Sequence, residues 1–361
     1  MRERALRIFS HAPPGLDAIV LANDVEPNLD LSFFYAVDVE SGLFEQCYVI
    51  IWPDGSTDLF TSALEETSAR SSRSRLHVFQ SKAERLEMLK EALRGAKRIG
   101  VSGAGLTFRM LNELKSVCDA EIVDVWKAIE AARLVKDQKE IERLRHACRI
   151  ASLVGQEIPS IITEGMKEYE AAAEVSYRMV RRGAAATAFQ TNASFGPNSA
   201  EPHHSPTSDQ LREGDVALFD FGALYKRYGS DVTRTFFFGR ADEEQREMYQ
   251  VVLEAQSAAL NIIREGVSAK EVDAAARKVI DSSRFKNLMV HSVGHGIGLS
   301  VHDGGRLSPE SELILKENMV FTVEPGIYIK GKGGVRIEDD VIVTKDGCEI
   351  LTFCSKELLV I

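Results

Sequence analysis

The chain has 361 residues, 44% of them hydrophobic and 27% charged, enough to bury a sizeable core and too many for one average domain. A formal net charge of -10 excludes a nucleic-acid binder, which needs a surplus of Lys and Arg, and no run approaches the roughly 18 apolar residues that cross a bilayer. Cys47, Cys118, Cys148, Cys348 and Cys354 are scattered and form no C-x-x-C pair, and the first ten residues lack the apolar run of a secretion signal, so a cytoplasmic protein with free thiols is expected.

Along the chain, Ala18-Ile-Val-Leu21 reads as a strand. Cys47–Trp52 and Thr57–Thr61 flank the turn Pro53-Asp-Gly-Ser56 and predict a hairpin. The short basic run Arg70-Ser-Ser-Arg73-Ser-Arg75 reads as a solvated loop. Residues 82–95, rich in Ala, Leu, Glu, Lys and Arg, favour a helix. A strand at Arg98–Ser102, a helix over 106–117 and a strand at Glu121–Val125 extend the αβ alternation. The Gly103-Ala-Gly105 turn lacks the third glycine of a dinucleotide fingerprint and is not taken as one. Charged helical sequence over 126–145 shows no turn chemistry and is taken to open a second domain, which gives domains of 1–125 and 126–361.

The second domain contains an internal echo. Ile161-Ile-Thr-Glu-Gly165 with Glu168–Ala173 is matched by Ile262-Ile-Arg-Glu-Gly266 with Glu271–Ala276. Each copy closes a helix at a glycine, opens another and runs into strands. Chance likeness between two amphipathic helix pairs is the rival explanation. A true duplication sets two αα-ββ halves face to face, with a site in the cleft between them.

Carboxylates then interrupt apolar strands. Asp220 sits in Val216-Ala-Leu-Phe-Asp220-Phe, and Asp231 precedes Val232-Thr-Arg-Thr-Phe. Glu324 sits in Val320-Phe-Thr-Val-Glu324-Pro-Gly, and Glu338 in Val335-Arg-Ile-Glu338-Asp-Asp-Val. A buried carboxylate costs several kcal/mol unless paired or bound to a cation. One such acid alone reads equally well as half of a structural ion pair. For all four, only Arg234 and Arg336 lie close in sequence, so divalent metal is the better electrostatic solution. Histidines cluster likewise, at Pro202-His203-His204 and along His291-Ser-Val-Gly-His295-Gly-Ile-Gly-Leu-Ser-Val-His302. Gly294, Gly296 and Gly298 argue against a zinc-binding helix there and for a strand or loop that passes close to a metal. Oxygen ligands with one imidazole suit manganese, cobalt or iron rather than a thiolate zinc site. Four acids and one histidine are too many for one ion and suit two with shared carboxylates, which is hydrolytic chemistry. No Gly-x-Ser-x-Gly elbow of a serine hydrolase is present.

From about residue 130 to 355 these segments resemble the pita-bread metallopeptidases, in the branch of prolidase and aminopeptidase P. The resemblance implies an α/β (α+β) protein, with a small creatinase-like N-terminal domain before a pita-bread catalytic domain of pseudo-twofold αα-ββ halves. It implies two divalent ions, manganese or cobalt first, iron or zinc as further candidates. The ligands would be Asp220, Asp231, His295, Glu324 and Glu338, with Asp231 and Glu338 bridging. By the same likeness His203 assists proton transfer, His302 meets the scissile carbonyl, Glu324 shuttles a proton, Arg336 orients the acids and His291 borders a proline subsite. His302-Asp303-Gly-Gly-Arg306 departs from the prolidase stretch His-Glu-x-Pro-Arg, while Arg306 is still expected to read a substrate carboxylate. The implied activity is hydrolysis of the Xaa-Pro bond in dipeptides or at peptide N-termini, by a homodimer with no nucleic-acid or membrane partner. The rivals are a metal-free creatinase-like amidinohydrolase and an inactive binding relative, which the full ligand set opposes.

Overall fold

A computed structural model describes residues 2–361, and the chain divides into two compact units, Met1–Arg133 and Leu134–Ile361. Among the described residues no helix is long and apolar enough to cross a membrane. All five cysteines are free.

The first unit is a six-stranded mixed sheet in the order Arg75–Phe79, Thr57–Ser62, Cys47–Ile51, Ala18–Asn23, Arg98–Val101, Glu121–Asp124. The hairpin forms around Gly55, whose φ of +81° suits a residue without Cβ. Helices Lys82–Ala92 and Phe108–Val117 start where Ser81 and Thr107 accept a backbone N–H at the N-cap. Four elements of this unit lie outside the sequence expectations: helix Arg2–His11, helix Leu31–Val37, the single-turn helix Glu66–Ala69 and the edge strand Arg75–Phe79, which begins at the last arginine of the basic run.

The passage between units differs from the expectation of one helical stretch over 126–145. Helix Trp126–Leu134 is bound to the first unit, where the Tyr35 hydroxyl donates to the Ala132 carbonyl at 2.9 Å. Asp137 then caps helix Gln138–Gly155 and Glu140 reaches back to the Asp137 N–H, a reciprocal capping box. The sequence Asp137-Gln-Lys-Glu140 carries the signal for this helix start.

The second unit is built twice. Gly165 (φ +79°) and Gly266 (φ +85°) close matching turns, and each N–H donates across at 2.9 Å, to the carbonyls of Leu211 and Leu315. Aligned on these glycines, buried Ala171, Val175 and Met179 of helix Glu168–Arg181 correspond to buried Val272, Ala276 and Ile280 of helix Ala269–Asp281. The alanine triplets of the sequence echo are therefore out of register, because the turn and the apolar stripe set the equivalence. Each half owns a core, one around Ala151, Val175, Phe219 and Phe236, the other around Val252, Ala276, Phe321 and Val341.

Period-two alternation does the rest. In strand Val216–Phe221, Ala217, Phe219 and Phe221 fill the first core while Val216 packs on the second, so Asp220 faces the second half. In the second half Phe321, Val323, Val335, Ile337, Val341 and Val343 fill its own core. Their alternates Glu324, Arg336 and Glu338 are therefore turned away from that core. The register also brings Asp220 opposite both Asn192 and Thr233.

Candidate active site

Ten residues singled out in the sequence line one cavity of about 400 Å³: Asp220, Asp231, His295, Glu324, Glu338, His203, His302, His291, Arg306 and Arg336. Its walls include Phe189, Pro202 and Val301. Acids occupy its buried depth, and His203, His302 and Arg306 are solvent-exposed.

The hydrogen bonds fix the protonation states at the floor. His295 Nδ1 faces the Gly296 carbonyl at 3.2 Å, so it carries the proton and Nε2 presents a lone pair. That lone pair lies 3.3 Å from Glu324 Oε1 and 3.8 Å from Asp231 Oδ2. Three acceptors so arranged repel unless a proton or a cation lies among them. Asp231, His295 and Glu338 each offer one ligand atom, all within 4.8 Å of one another. Asp220 Oδ1 and Asp231 Oδ1 are buried and accept no hydrogen bond among the described residues. Unfilled carboxylate oxygens around a neutral imidazole fit divalent ions well.

Counting cations sharpens this. Arg234 is spent on Asp339 (2.7 Å), and Arg336 on Asp220 (2.6 Å). Burial pushes Asp231 and Glu338 far above the usual carboxylate range, and their acidic neighbours add to it. Burial raises Glu324 to about 7, with Arg336 opposing, and Asp340 to about 8. Burial lowers His295 to about 3, and the neighbouring His302 contributes.

A second network orients the wall. The Arg336 Nη1 donates to the Tyr328 hydroxyl (2.9 Å), which therefore gives its own proton to His291 Nε2 (2.8 Å). His291 Nδ1 then donates to the Ser292 carbonyl (2.8 Å). With both ring nitrogens engaged, His291 is neutral, and burial followed by Arg336 lowers it to about 4. Both ring nitrogens being spoken for, His291 has no polar atom left for a ligand, which suits an apolar partner. Arg336 Nε reaches Thr233 Oγ1 (2.9 Å), and that hydroxyl donates to Glu338 Oε2 (2.6 Å).

Tyr328, Thr233 and Asp340 were not singled out in the sequence. Asp340 accepts the Asp231 N–H (2.9 Å) and the Cys148 thiol (3.2 Å) on one oxygen. Asp339 and Asp340 directly follow Glu338 in an apolar strand, a usable signal. Tyr328 and Thr233 carry none, being ordinary strand residues. His204 is not among the cavity-lining residues and binds Glu168 (2.8 Å).

The glycines on either side of His295 meet a packing demand. A Cβ at Gly294 would lie 2.0 Å from the Thr322 carbonyl oxygen, and one at Gly296 1.9 Å from that of Gly304. They let three backbone segments pack edge to edge around His295. Gly296→Ala is expected to cost about 3 kcal/mol or more, read as a fall in thermal midpoint; a loss under about 1 kcal/mol would mean that the loop at 304 yields.

A duplicated αα-ββ domain whose inter-half cavity gathers carboxylates around an imidazole defines a metal-dependent hydrolase. The sequence pattern of Metallopeptidase family M24 matches residues 142–345, and that of the Creatinase/Prolidase N-terminal domain matches 12–135. The chain belongs to metallopeptidase family M24 and is a metallo-exopeptidase of its prolidase branch. It is 39% identical over 361 residues to an Xaa-Pro dipeptidase of Pyrococcus horikoshii, covering 99% of both chains. Among solved structures it resembles an Xaa-Pro dipeptidase from Bacillus anthracis, with TM-score 0.92, 32% identity and 99% of both chains covered. An X-Pro aminopeptidase from Thermotoga maritima matches with TM-score 0.90 and 33% identity, over 96% of this chain and 98% of that one.

Proposed function

We propose that this chain hydrolyses the Xaa-Pro bond, with dipeptides as its preferred substrates, and that Asp220, Asp231, His295, Glu324 and Glu338 hold two divalent ions. The observation that carries the reading is the neutral His295 lone pair facing the oxygens of Glu324 and Asp231 beside unfilled Asp220 and Asp231 oxygens. The oxygen-rich donor set supports manganese or cobalt. When bound, the ions supply an acidified water and Lewis-acid polarisation of the scissile carbonyl. Glu324 takes a proton from the attacking water and delivers it to the imino nitrogen that leaves. His302, its basicity lowered by partial desolvation at the cavity wall and then by Arg306, donates an N–H toward the developing oxyanion. His203, which lines the same cavity, assists the same proton transfer. His291, locked by Tyr328, and Phe189 offer an apolar wall to the proline ring. Free cysteines support a reducing, cytoplasmic setting, and the family resemblance supports a homodimer.

The test is hydrolysis of Ala-Pro, Ala-Pro-Ala and Ala-Ala by manganese-loaded protein. Cleavage of Ala-Pro well above Ala-Ala is expected. Equal or faster cleavage of Ala-Ala would overturn the proline specificity. Arg306 lies exposed at the cavity rim, opposite His295 in the short ladder of Gly294–His295 with Arg306–Leu307. Arg306→Ala is expected to raise KM for Ala-Pro about 10- to 100-fold, the worth of one charge-assisted hydrogen bond, and to change Ala-Pro-Ala far less. Equal effects on both peptides would remove Arg306 from carboxylate recognition.

A further inference from the structure

Two buried carboxylates outside the catalytic scheme occupy related places, each on the second helix of its half. Glu168, at the start of helix Glu168–Arg181, is inaccessible to solvent. Its Oε1 accepts the Phe195 N–H (2.8 Å) and Asn198 Nδ2 (3.0 Å). Its Oε2 accepts the Thr207 N–H (2.8 Å), the Thr207 hydroxyl (2.7 Å) and His204 Nε2 (2.8 Å). Every donor lies in the segment 195–207, which carries His203 to the cavity. Burial opposes the charge on Glu168, but these bonds outweigh it and hold its carboxyl below the usual range.

The other half repeats the device. Asp273, 1% exposed on helix Ala269–Asp281, accepts the Val293 N–H (3.1 Å) and both arms of Arg277 (2.9 and 3.0 Å). The Arg277 guanidinium donates onward to the carbonyls of Met289 (3.1 Å) and His291 (3.0 Å). Each half thus fixes, through one buried acid, the loop that brings a histidine to the shared cavity. A buried charge with only a packing role is dispensable, since apolar residues serve as well. Converging donors from one loop give the charge a different use, namely holding that loop in one place.

We propose that Glu168 and Asp273 are paired positioning residues for the hydrolytic reaction, setting His203 and His291 through the loops they hold. The proposal rests on the Xaa-Pro reading of the cavity. In metal-loaded enzyme, Glu168→Gln puts an amide N–H among donors. It should lower kcat about 10- to 100-fold, with KM and metal affinity little changed. Amide exchange across 195–207 should quicken by more than about tenfold. In a His203→Ala background the same substitution should cost less than about twofold, as expected of residues acting through one group. The full loss in that background, or unchanged exchange, would overturn the proposal. His204→Gln, which keeps an N–H donor, should retain more activity than His204→Ala; equal losses would also count against it. Should Glu168→Gln fail to fold, Asp273→Asn in wild-type and His291→Ala backgrounds makes the same comparison. The exchange measurement needs no substrate. A wild-type enzyme inactive on Xaa-Pro peptides would therefore count against the functional reading, while exchange still decides the anchoring.

Discussion

Replacing Asp231 with asparagine is expected to lower turnover by more than about a hundredfold, since even the outer partners of metal ligands carry 10- to 100-fold. The fold should survive. The Asp231 backbone is tied by its N–H to Asp340, which the substitution leaves in place. The side chain is isosteric, and its Oδ1 accepts no hydrogen bond among the described residues. Burial and then Glu338, Asp220, Asp340 and Glu324 all disfavour its charge. Removing one of several mutually repelling carboxylates relieves the metal-free protein, so in chelator the variant should melt no lower than the wild type. The same variant should gain less on adding manganese. Near wild-type turnover would contradict the ligand role. A melting point well below wild type in chelator would instead make Asp231 a structural residue.

The second large effect is the pH dependence of metal-free stability. Carboxyls raised on folding stabilise the native state below their unfolded pKa, and that contribution is lost as pH rises through the folded value. Glu324 at about 7 and Asp340 at about 8 belong to this class, and Asp231 and Glu338 are displaced the same way. His291 at about 4 and His295 at about 3 act in the opposite sense, since the unfolded chain binds protons that the native state refuses. Their contribution is complete once pH passes the ordinary histidine value of about 6.5. Between about pH 6.5 and 8 the carboxyls dominate, joined in the same sense by His204, which against the effect of burial its bond to Glu168 raises, and each tenfold difference in proton affinity between folded and unfolded chain is worth about 1.4 kcal/mol. The metal-free protein should therefore lose several kcal/mol across that window. Metal competes with those protons, so manganese should flatten the profile and stabilise most at pH 8. Thermal denaturation in chelator at pH 6.5, 7.25 and 8 checks this. A midpoint that stays level or rises would contradict the buried, cation-free carboxylate cluster.

Much of this site is readable in the chain because its logic is local. A carboxylate inside Val216–Phe221 or beside Val320–Val323 is conspicuous against apolar neighbours. Alternation then says that such acids share the side of their strands turned from the core. The hairpin at Pro53–Ser56 is legible for a similar reason, turn chemistry between two apolar runs. What escaped notice was mostly non-local. Tyr328 is an unremarkable strand tyrosine until His291 and Arg336 meet on its hydroxyl, and Glu168 looks like a helix-surface acid until five donors from 195–207 converge on it. In the duplication the turn glycines Gly165 and Gly266 are legible in register, whereas the alanine triplets mislead by two residues because the apolar stripe sets the helix equivalence. Two misses had local signals, the Asp137–Glu140 capping box and the Asp339-Asp340 pair.

The most direct measurement is the rate of Ala-Pro hydrolysis as manganese is added stepwise to metal-stripped protein. Turnover should be absent at the start, rise with added metal and level off at two equivalents per chain. Full turnover in the stripped protein, or none at any occupancy, would contradict a paired-ion Xaa-Pro peptidase.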